Sequence, residues 1–280
     1  MQIGEKTFDT EHHTYIMGIL NVTPDSFSDG GRFYQLDEAY YHAEEMLREG
    51  AAILDVGGES TRPGHVPISA EEEALRVAPV IEGLKARFDA PVSVDTYKSK
   101  VARIALEAGA DLVNDIWGLK YEDEMAAVIA KSGAACCLMH NRNRTEYTDF
   151  LAEVQADLRQ SVDLARRAGI SGEKILLDPG IGFGKTYEQN LAMLRGLDAL
   201  RGLGFPLLLG ASRKSVIGRT LDLPVNQREE GTLVTTVLAV LSRYAFVRVH
   251  DVKANIRAIR MAEAVLYTLS DTECPPVRNT

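Results

Sequence analysis

Short apolar stretches alternate with longer amphipathic stretches along almost the whole chain. The apolar stretches have the length of buried strands, and the amphipathic ones carry apolar residues at helical spacing. Eight strands are predicted, at Tyr15–Leu20, Ala52–Val56, Pro91–Val94, Asp111–Val113, Ala134–Met139, Ile175–Leu177, Pro206–Gly210 and Phe246–Val249. Eight helices are predicted, at Asp37–Glu49, Ala70–Phe88, Lys98–Ala108, Glu122–Ser132, Phe150–Ala168, Tyr187–Leu200, Asn226–Ser242 and Asn255–Ser270. A small hairpin around Gly4 is expected before them.

The order of these elements predicts the fold class. Strands that alternate with helices form parallel sheets, and eight repeats in 280 residues favour a closed (β/α)8 TIM barrel. An open, doubly wound sheet is the alternative. Neither a change of composition nor a Pro- or Ser-rich linker divides the chain, so residues 1–280 are predicted to form a single α/β domain.

Several predicted helix ends carry capping signals. Capping boxes are predicted at Ser69, Thr186 and, in looser form, Asn226. Glycines typical of helix C-termini follow four helices, at Gly50, Gly109, Gly133 and Gly169.

Composition excludes several classes of protein. Hydrophobic residues make up 45% of the chain, and the net charge of -9 argues against nucleic-acid or anionic-membrane binding. The three cysteines form neither a disulfide framework nor a metal cluster, and their odd number fits a reducing compartment. Cys136 and Cys137 are adjacent on a predicted strand, so their side chains should point to opposite faces. The first residues lack the apolar core of a signal peptide, and a cytoplasmic location is expected.

Every predicted strand ends in a polar or glycine-containing cluster. These clusters are Asn21; Gly57-Gly58-Glu59; Asp95-Thr96; Asn114-Asp115; His140-Asn141; Asp178; Ser212-Arg213-Lys214; and Arg248 with His250-Asp251. In a barrel the carboxyl ends of the strands surround the active site. One such residue alone is more often a cap than a ligand contact, but eight around one rim would converge on one site.

Two loops at this rim have the composition of ligand-binding loops. Loop 22–33 is long and polar, and long irregular loops in compact domains are usually functional or disordered. In loop 57–66 the glycines allow the backbone to approach a ligand closely, and Arg62 can meet an anion. An ordinary turn with a solvated arginine is the alternative for that loop.

The last predicted strand also favours an anion. Arg248 and His250 share one face of it, because side chains alternate along a strand. Loops around the seventh and eighth strands of such barrels often bind phosphate. The glycine-rich segment 180–186, by contrast, does not match a P-loop, because Pro179 occupies a position that requires glycine. It does not match a dinucleotide-binding fingerprint either, because Lys185 occupies a position that requires glycine.

Five separated motifs resemble those of dihydropteroate synthases, which join a pterin to p-aminobenzoate. They occur in the family's order and span nearly the whole chain. They are Met17–Gly31, Gly57–Gly64, the segment that begins Asp178-Pro179-Gly180, Ser212–Ser215 and Arg248–Asp251. The charged segment 141–147 departs from the family pattern, and Trp117 is bulky where a small residue is common.

The resemblance implies the reaction and a set of site residues. The substrates would be 6-hydroxymethyl-7,8-dihydropterin diphosphate and p-aminobenzoate, and the products 7,8-dihydropteroate and pyrophosphate. Asp95, Asn114, Asp178 and Lys214 would hold the pterin. The diphosphate would contact Thr61, Arg62, Asn21, Arg248 and His250, with Mg²⁺ bound beside Asn21. The arylamine would contact Phe27, Phe183 and Ser215.

The same resemblance implies that Asp95, Lys214, Arg248 and His250 act in catalysis, with no nucleophilic residue. It further implies a homodimer formed through outer helices, with Thr232–Val240 contributing, and a target for sulfonamides. Two alternatives remain open: a pterin- or folate-binding barrel such as those of methyltetrahydrofolate-binding methyltransferases, and a degenerate relative that only binds. A methyltransferase barrel needs no diphosphate site, so Arg62, Lys214 and Arg248 argue against it.

The two rim loops lead to a prediction about the order of binding. They contain five glycines and few apolar anchors, so they are expected to be mobile in the empty protein. Pyrophosphate with Mg²⁺ should order them and raise the affinity for a sulfonamide, with a coupling free energy of about 1–3 kcal/mol. Arg62→Ala should reduce this coupling more than it reduces pterin binding. The measurement is a sulfonamide titration with and without pyrophosphate and Mg²⁺; equal affinities would show a preformed arylamine pocket.

Overall fold

A ring of eight parallel strands forms the centre of the molecule. The computed structural model describes residues 1–23, 32–59 and 66–267, with only the backbone course for 32–35. An antiparallel hairpin, β1 (Gln2–Ile3) and β2 (Lys6–Thr7), precedes the ring. The ring strands are β3 (Tyr15–Asn21), β4 (Ala51–Gly57), β5 (Val92–Asp95), β6 (Leu112–Asp115), β7 (Ala135–Met139), β8 (Ile175–Asp178), β9 (Leu208–Leu209) and β10 (Phe246–Val249).

The strand order confirms the predicted (β/α)8 barrel. Strands β3 to β8 pair in sequence, β10 pairs with both β3 and β9, and a parallel bridge between Leu177 and Leu207 joins β8 to the start of β9. The alternative prediction, an open, doubly wound sheet, is therefore wrong. The extent of a single domain over residues 1–280 stays a prediction. Among the described helices, none is long and apolar enough to cross a membrane.

Nine α-helices surround the ring in the described part of the chain. They are α1 (Arg32–Glu49), α2 (Ala70–Arg87), α3 (Ser99–Glu107), α4 (Glu124–Ser132), α5 (Phe150–Ala168), α6 (Tyr187–Arg195), α7 (Ser215–Leu221), α8 (Glu229–Leu241) and α9 (Val252–Tyr267). Helix α7 was not predicted, because its seven residues are too short to show a helical period. The predicted helix Tyr187–Leu200 is divided at Gly196 into α6 and a 3₁₀ segment, Leu197–Leu203.

The capping predictions are mostly confirmed. Thr186 forms a full capping box with Gln189, and Ser69 accepts a hydrogen bond from the amide of Glu72. All four predicted C-terminal glycines have positive φ. The cap at Asn226 is wrong, since this residue lies in a 3₁₀ turn (Val225–Gln227) and α8 begins only after Arg228.

The inside of the barrel is divided into an apolar lower layer and a polar upper layer. Inward side chains below the rim pack into one apolar cluster, which includes Met17, Ile53, Leu112, Cys137, Leu176, Leu208 and Phe246. The hairpin closes the bottom of the barrel, where Ile3 and Phe8 join this cluster. Cys136 packs instead in the cluster between strands and helices, so the prediction that the two cysteines face opposite ways is confirmed.

Two residues further along four of these strands, the inward positions are polar: Asp55, Asn114, Asp178 and Arg248. Strand pairing sets Asn21 beside Gly57, Gly57 beside Asp95, and Asp95 beside Asn114. Because the strands are parallel and in this register, four predicted rim positions lie at one level. The polar layer therefore rests on an apolar floor at the carboxyl end of the barrel.

Candidate active site

One arginine joins two carboxylates inside the barrel. Arg248 on β10 donates from Nε to Asp55 Oδ2 at 2.5 Å and from Nη2 to Asp95 Oδ2 at 2.6 Å. All three side chains point inward, and their strands lie close enough around the ring for one guanidinium to reach both carboxylates. The arrangement balances part of the negative charge that the barrel buries at this level.

Each of these carboxylates keeps one oxygen without a hydrogen-bond partner. Asp55 Oδ1 and Asp95 Oδ1 are buried and have no partner among the described residues. Asn114 Nδ2 approaches the other oxygen of Asp55 at 3.4 Å. Burial raises the pKa of Asp95 to about 7, against the opposing charge of Arg248. Buried acceptors without donors are costly, so this layer is suited to a ligand that supplies N–H groups.

Asp55 was not among the residues predicted from the sequence. It lies within the apolar stretch that predicts β4, two residues after the inward-facing Ile53. A charged residue at an inward position of a buried strand was the signal that could have identified it.

Asp178 ends β8 beside an open space in the barrel. Its Oδ1 accepts a hydrogen bond from the amide of Gly180 at 2.7 Å. A Cβ atom at position 210 would lie 3.2 Å from Asp178 Oδ2, so glycine at 210 leaves that oxygen accessible. Burial raises the pKa of this carboxyl, while the charge of Lys214 opposes the increase.

Lys214 precedes α7 and extends across the turn that follows β8. Its Nζ donates to the carbonyl of Ile181 and lies 4.5 Å from the ring centroid of Phe183, within cation–π distance. Gly182 has φ +86°, and a Cβ there would lie 3.2 Å from Cδ of Lys214, so glycine allows the side chain to pass. Burial lowers the pKa of Lys214 to about 8, and the charge of Asp178 opposes this shift.

Residues at the ends of β9 and β10 form the opposite side of the rim. Ser212 Oγ lies 2.9 Å from His250 Nδ1 and accepts a hydrogen bond from the His250 amide. Arg213 forms an ion pair with Asp251. Ser215 is the exposed first residue of α7. The expected diphosphate contacts of Arg248 and His250 stay predictions, and Arg248 is ion-paired inside the barrel.

The surroundings of Asn21 suit the oxygen chemistry that Mg²⁺ requires. A Cβ at Gly57 would lie 3.4 Å from Asn21 Oδ1 and 3.9 Å from Asp95 Oδ2, so glycine leaves room between two side-chain oxygens. No group of three or more His, Cys, Asp or Glu side chains in the described ranges could hold a metal. Mg²⁺ commonly binds one or two protein oxygens together with substrate phosphates, and Asn21 fits such a site.

Thr61, Arg62 and Phe27 lie outside the described residues.

A buried lysine, Lys98, joins the chain on the two sides of the undescribed residues 60–65. Its Nζ donates to Glu59 Oε2 at 2.5 Å, to the carbonyl of Ile68 at 2.8 Å and to Glu73 Oε2 at 2.7 Å. Tyr97 also donates to Glu59, at 2.7 Å. Sequence analysis missed this group, because its partners are far apart along the chain.

Apolar side chains form a wall beside the polar layer. Tyr97, Ile116 and Met139 are buried together, and Trp117 and Phe183 pack against them. These side chains lie at or just beyond the ends of strands β5, β6, β7 and β8, so they lie along one side of the rim. A polar floor with an apolar wall suits a flat ligand that has hydrogen-bonding edges.

The charged segment 141–147 is paired within itself and with α5. Arg142 donates to Asp157 Oδ2 at 2.6 Å and to Glu153 Oε2 at 2.8 Å. Its guanidinium lies 4.5 Å from the ring centroid of Tyr147. The charge of Arg142 is therefore used in structure.

Comparison with known proteins assigns the family. The profile of the family described as "Pterin binding enzyme" matches residues 17–250, and the chain belongs to this family. It is 55% identical over 267 residues to the dihydropteroate synthase of Clostridium beijerinckii, covering 95% of this chain and 99% of that protein. The predicted barrel, the predicted family and the predicted transferase function, that of the dihydropteroate synthases, are confirmed.

Solved structures agree with this assignment. A dihydropteroate synthase from Clostridium difficile, crystallised in the presence of pteroic acid, has a TM-score of 0.90 and 52% identity, over 92% of this chain and 99% of that one. The Xanthomonas albilineans dihydropteroate synthase with 4-aminobenzoic acid has a TM-score of 0.87 and 41% identity, over 91% and 94% of the two chains.

The arginine between two carboxylates leads to a prediction about stability. Arg248→Met should lower the free energy of unfolding by about 3–5 kcal/mol at pH 8, because two buried carboxylates lose their counter-ion. Without the guanidinium the folded pKa of Asp95, already raised to about 7, rises further above its unfolded value of about 4, so the folded state binds protons more readily than the unfolded state. Stability then falls as pH rises, and the deficit should be smaller at pH 5 than at pH 8.

Urea unfolding at both pH values measures this deficit. The matched control is Arg260→Met, which removes an exposed arginine of α9. If the two variants are equally stable at pH 8, Arg248 does not neutralise the barrel carboxylates.

Proposed function

We propose that the polar layer of this barrel binds 6-hydroxymethyl-7,8-dihydropterin diphosphate and that the rim above it binds p-aminobenzoate. The products are 7,8-dihydropteroate and pyrophosphate. The observation that carries the proposal is the pair of unpartnered oxygens on Asp55 and Asp95, beside an apolar wall. A pterin ring supplies N–H donors along one edge and two flat apolar faces.

The pterin contacts follow from the hydrogen-bonding capacity of each group. The carboxylates of Asp95 and Asp178 accept N–H bonds, and the amide of Asn114 both donates and accepts. Lys214 donates to the pterin carbonyl and ring nitrogen. Asp55 shares the counter-ion of Asp95 and adds a further acceptor oxygen below the ring.

The diphosphate lies toward the rim, above the pterin. Arg62, Thr61, Arg248 and His250 supply its donors, and Asn21 would hold Mg²⁺. Mg²⁺, when bound, neutralises charge on the leaving group. In the absence of a ligand, Arg248 is bound by Asp55 and Asp95. When the N–H groups of the pterin bind these carboxylates, Arg248 can interact more readily with the diphosphate.

The reaction exchanges one bond at the pterin methylene. The carbon–oxygen bond breaks, and its electron pair leaves with pyrophosphate. The carboxylates of Asp95 and Asp178 stabilise the cation that develops on the pterin, while Lys214, Arg248 and His250 stabilise the leaving charge. The arylamine nitrogen then forms the new carbon–nitrogen bond and loses a proton. No residue acts as a nucleophile.

The arylamine binds where the rim meets the two loops. Phe183 and Ser215 lie beside Lys214 at this edge, and a relative of this chain was crystallised with 4-aminobenzoic acid.

We further propose a cytoplasmic homodimer. Helix α8 exposes large apolar side chains, with Val234 60% and Leu241 48% exposed, and such faces on soluble proteins are often interaction sites. The helix includes the apolar segment Thr232–Val240.

Pyrophosphate release is the direct test of the proposed function. With the pterin diphosphate and Mg²⁺ present, release should depend on p-aminobenzoate and match the formation of dihydropteroate one for one. Binding of the pterin without any release would instead indicate a binding barrel. Release that does not depend on the arylamine would indicate a hydrolase and contradict the proposal.

Asp178→Ala tests the pterin site. Each charge-assisted hydrogen bond that it removes is worth about 1.5–3 kcal/mol, so calorimetry should show an affinity loss of at least tenfold for a pterin analogue. The matched control is Asp163→Ala, which removes an exposed carboxylate of α5. Circular dichroism should show both variants folded; equal affinities in the two would remove Asp178 from the site.

A further inference from the structure

A second buried lysine lies behind the site, where it contacts the backbone of one predicted arylamine contact, Phe183. Lys185 is 9% exposed, and its Nζ makes three hydrogen bonds. It donates to the carbonyl of Gly180 at 2.9 Å, to the carbonyl of Phe183 at 3.0 Å and to Nδ1 of His140 at 2.8 Å. An ammonium group has three donors, so Lys185 in this geometry uses all of them.

The lysine determines which nitrogen of His140 carries a proton. Because Nδ1 accepts from Lys185, the proton is on Nε2, which donates to Asp157 Oδ2 at 3.1 Å. Burial lowers the pKa of His140 to about 4, so the ring is neutral at pH 7. The same oxygen of Asp157 accepts from Arg142, so a continuous series of polar contacts joins the turn after β8 to α5.

The turn that Lys185 holds is the one that touches Lys214. Gly180 and Phe183 are its two ends, joined by a hydrogen bond of 3.1 Å from the Phe183 amide to the Gly180 carbonyl. Between them, Ile181 presents the carbonyl that accepts from Lys214, and the ring of Phe183 lies against the same ammonium. Asn190 holds the middle of the turn through the amide of Gly182 at 2.6 Å.

We propose that Lys185 is a positioning residue for the reaction. It fixes the two end carbonyls of the 180–183 turn, and through the Phe183 carbonyl it fixes the ring of Phe183 beside Lys214. His140 contributes its unprotonated Nδ1, which accepts the third hydrogen bond of Lys185. This inference rests on the proposed function, in which Lys214 and Phe183 contact the substrates.

Replacement of Lys185 is expected to weaken binding of the arylamine more than binding of the pterin. Asp178 is part of β8, and its backbone is tied to β7 by a hydrogen bond from the His140 amide at 2.9 Å. Phe183, at the far end of the turn, depends directly on Lys185. Lys185→Met should therefore raise the KM for p-aminobenzoate about tenfold, while the affinity for a pterin analogue changes less than threefold.

The first experiment compares Lys185→Met with Lys131→Met, which removes an exposed lysine of α4. Steady-state kinetics gives KM and kcat, and calorimetry gives the pterin affinity. The proposal is supported if KM for the arylamine rises selectively. It is overturned if the two variants have the same KM, or if pterin affinity, kcat and arylamine KM all worsen equally.

A pair of His140 variants tests the mechanism without replacing the lysine. Asparagine can place an oxygen acceptor near the position of Nδ1, whereas leucine cannot. His140→Asn should stay within about threefold of wild-type KM, and His140→Leu should resemble Lys185→Met. Equal effects of the two substitutions would overturn the role of the acceptor. A wild-type protein that binds no pterin analogue would instead refute the proposed function itself, before any variant is compared.

Discussion

The ion pair of Arg248 with Asp55 and Asp95 determines what the inside of this barrel can hold. Three strands bring charges into a space that other barrels of this type fill with apolar side chains. One guanidinium satisfies one oxygen of each carboxylate and leaves the other two oxygens without donors. A ligand that supplies N–H groups would reduce the cost of that deficit, so stability and affinity are linked at this one place.

The division of the barrel into two layers follows from the side-chain period of a strand. Ile53 and Asp55 are both inward-facing residues of β4, yet one belongs to the apolar floor and the other to the polar layer. A shift of one residue in pairing would turn both away from the interior. The hairpin below, with Phe8 in contact with the floor, removes water from the lower end and leaves a single open end.

Sequence alone could predict the barrel and most of the rim, because both depend on local patterns. Alternation of apolar and amphipathic stretches is visible along the chain, and residues such as Asp178 follow directly from where a strand ends. Asp55 carried a local signal, a charge at an inward position of a buried strand, but Lys98 and Lys185 could not be found in this way. Their roles depend on partners distant in sequence; His140, for example, is 45 residues from Lys185. Helix α7 was missed for a different reason, since seven residues carry too little periodicity.

The contacts of Lys98 have a consequence for how this protein can change over evolution. The lysine binds Glu59 and Ile68, so the two ends of the intervening segment are tied to the barrel and to α2 through Glu73. Insertions, deletions or exchanges between these ends need not disturb the register of β4. Changes within this segment can therefore accumulate while the barrel keeps its folding stability.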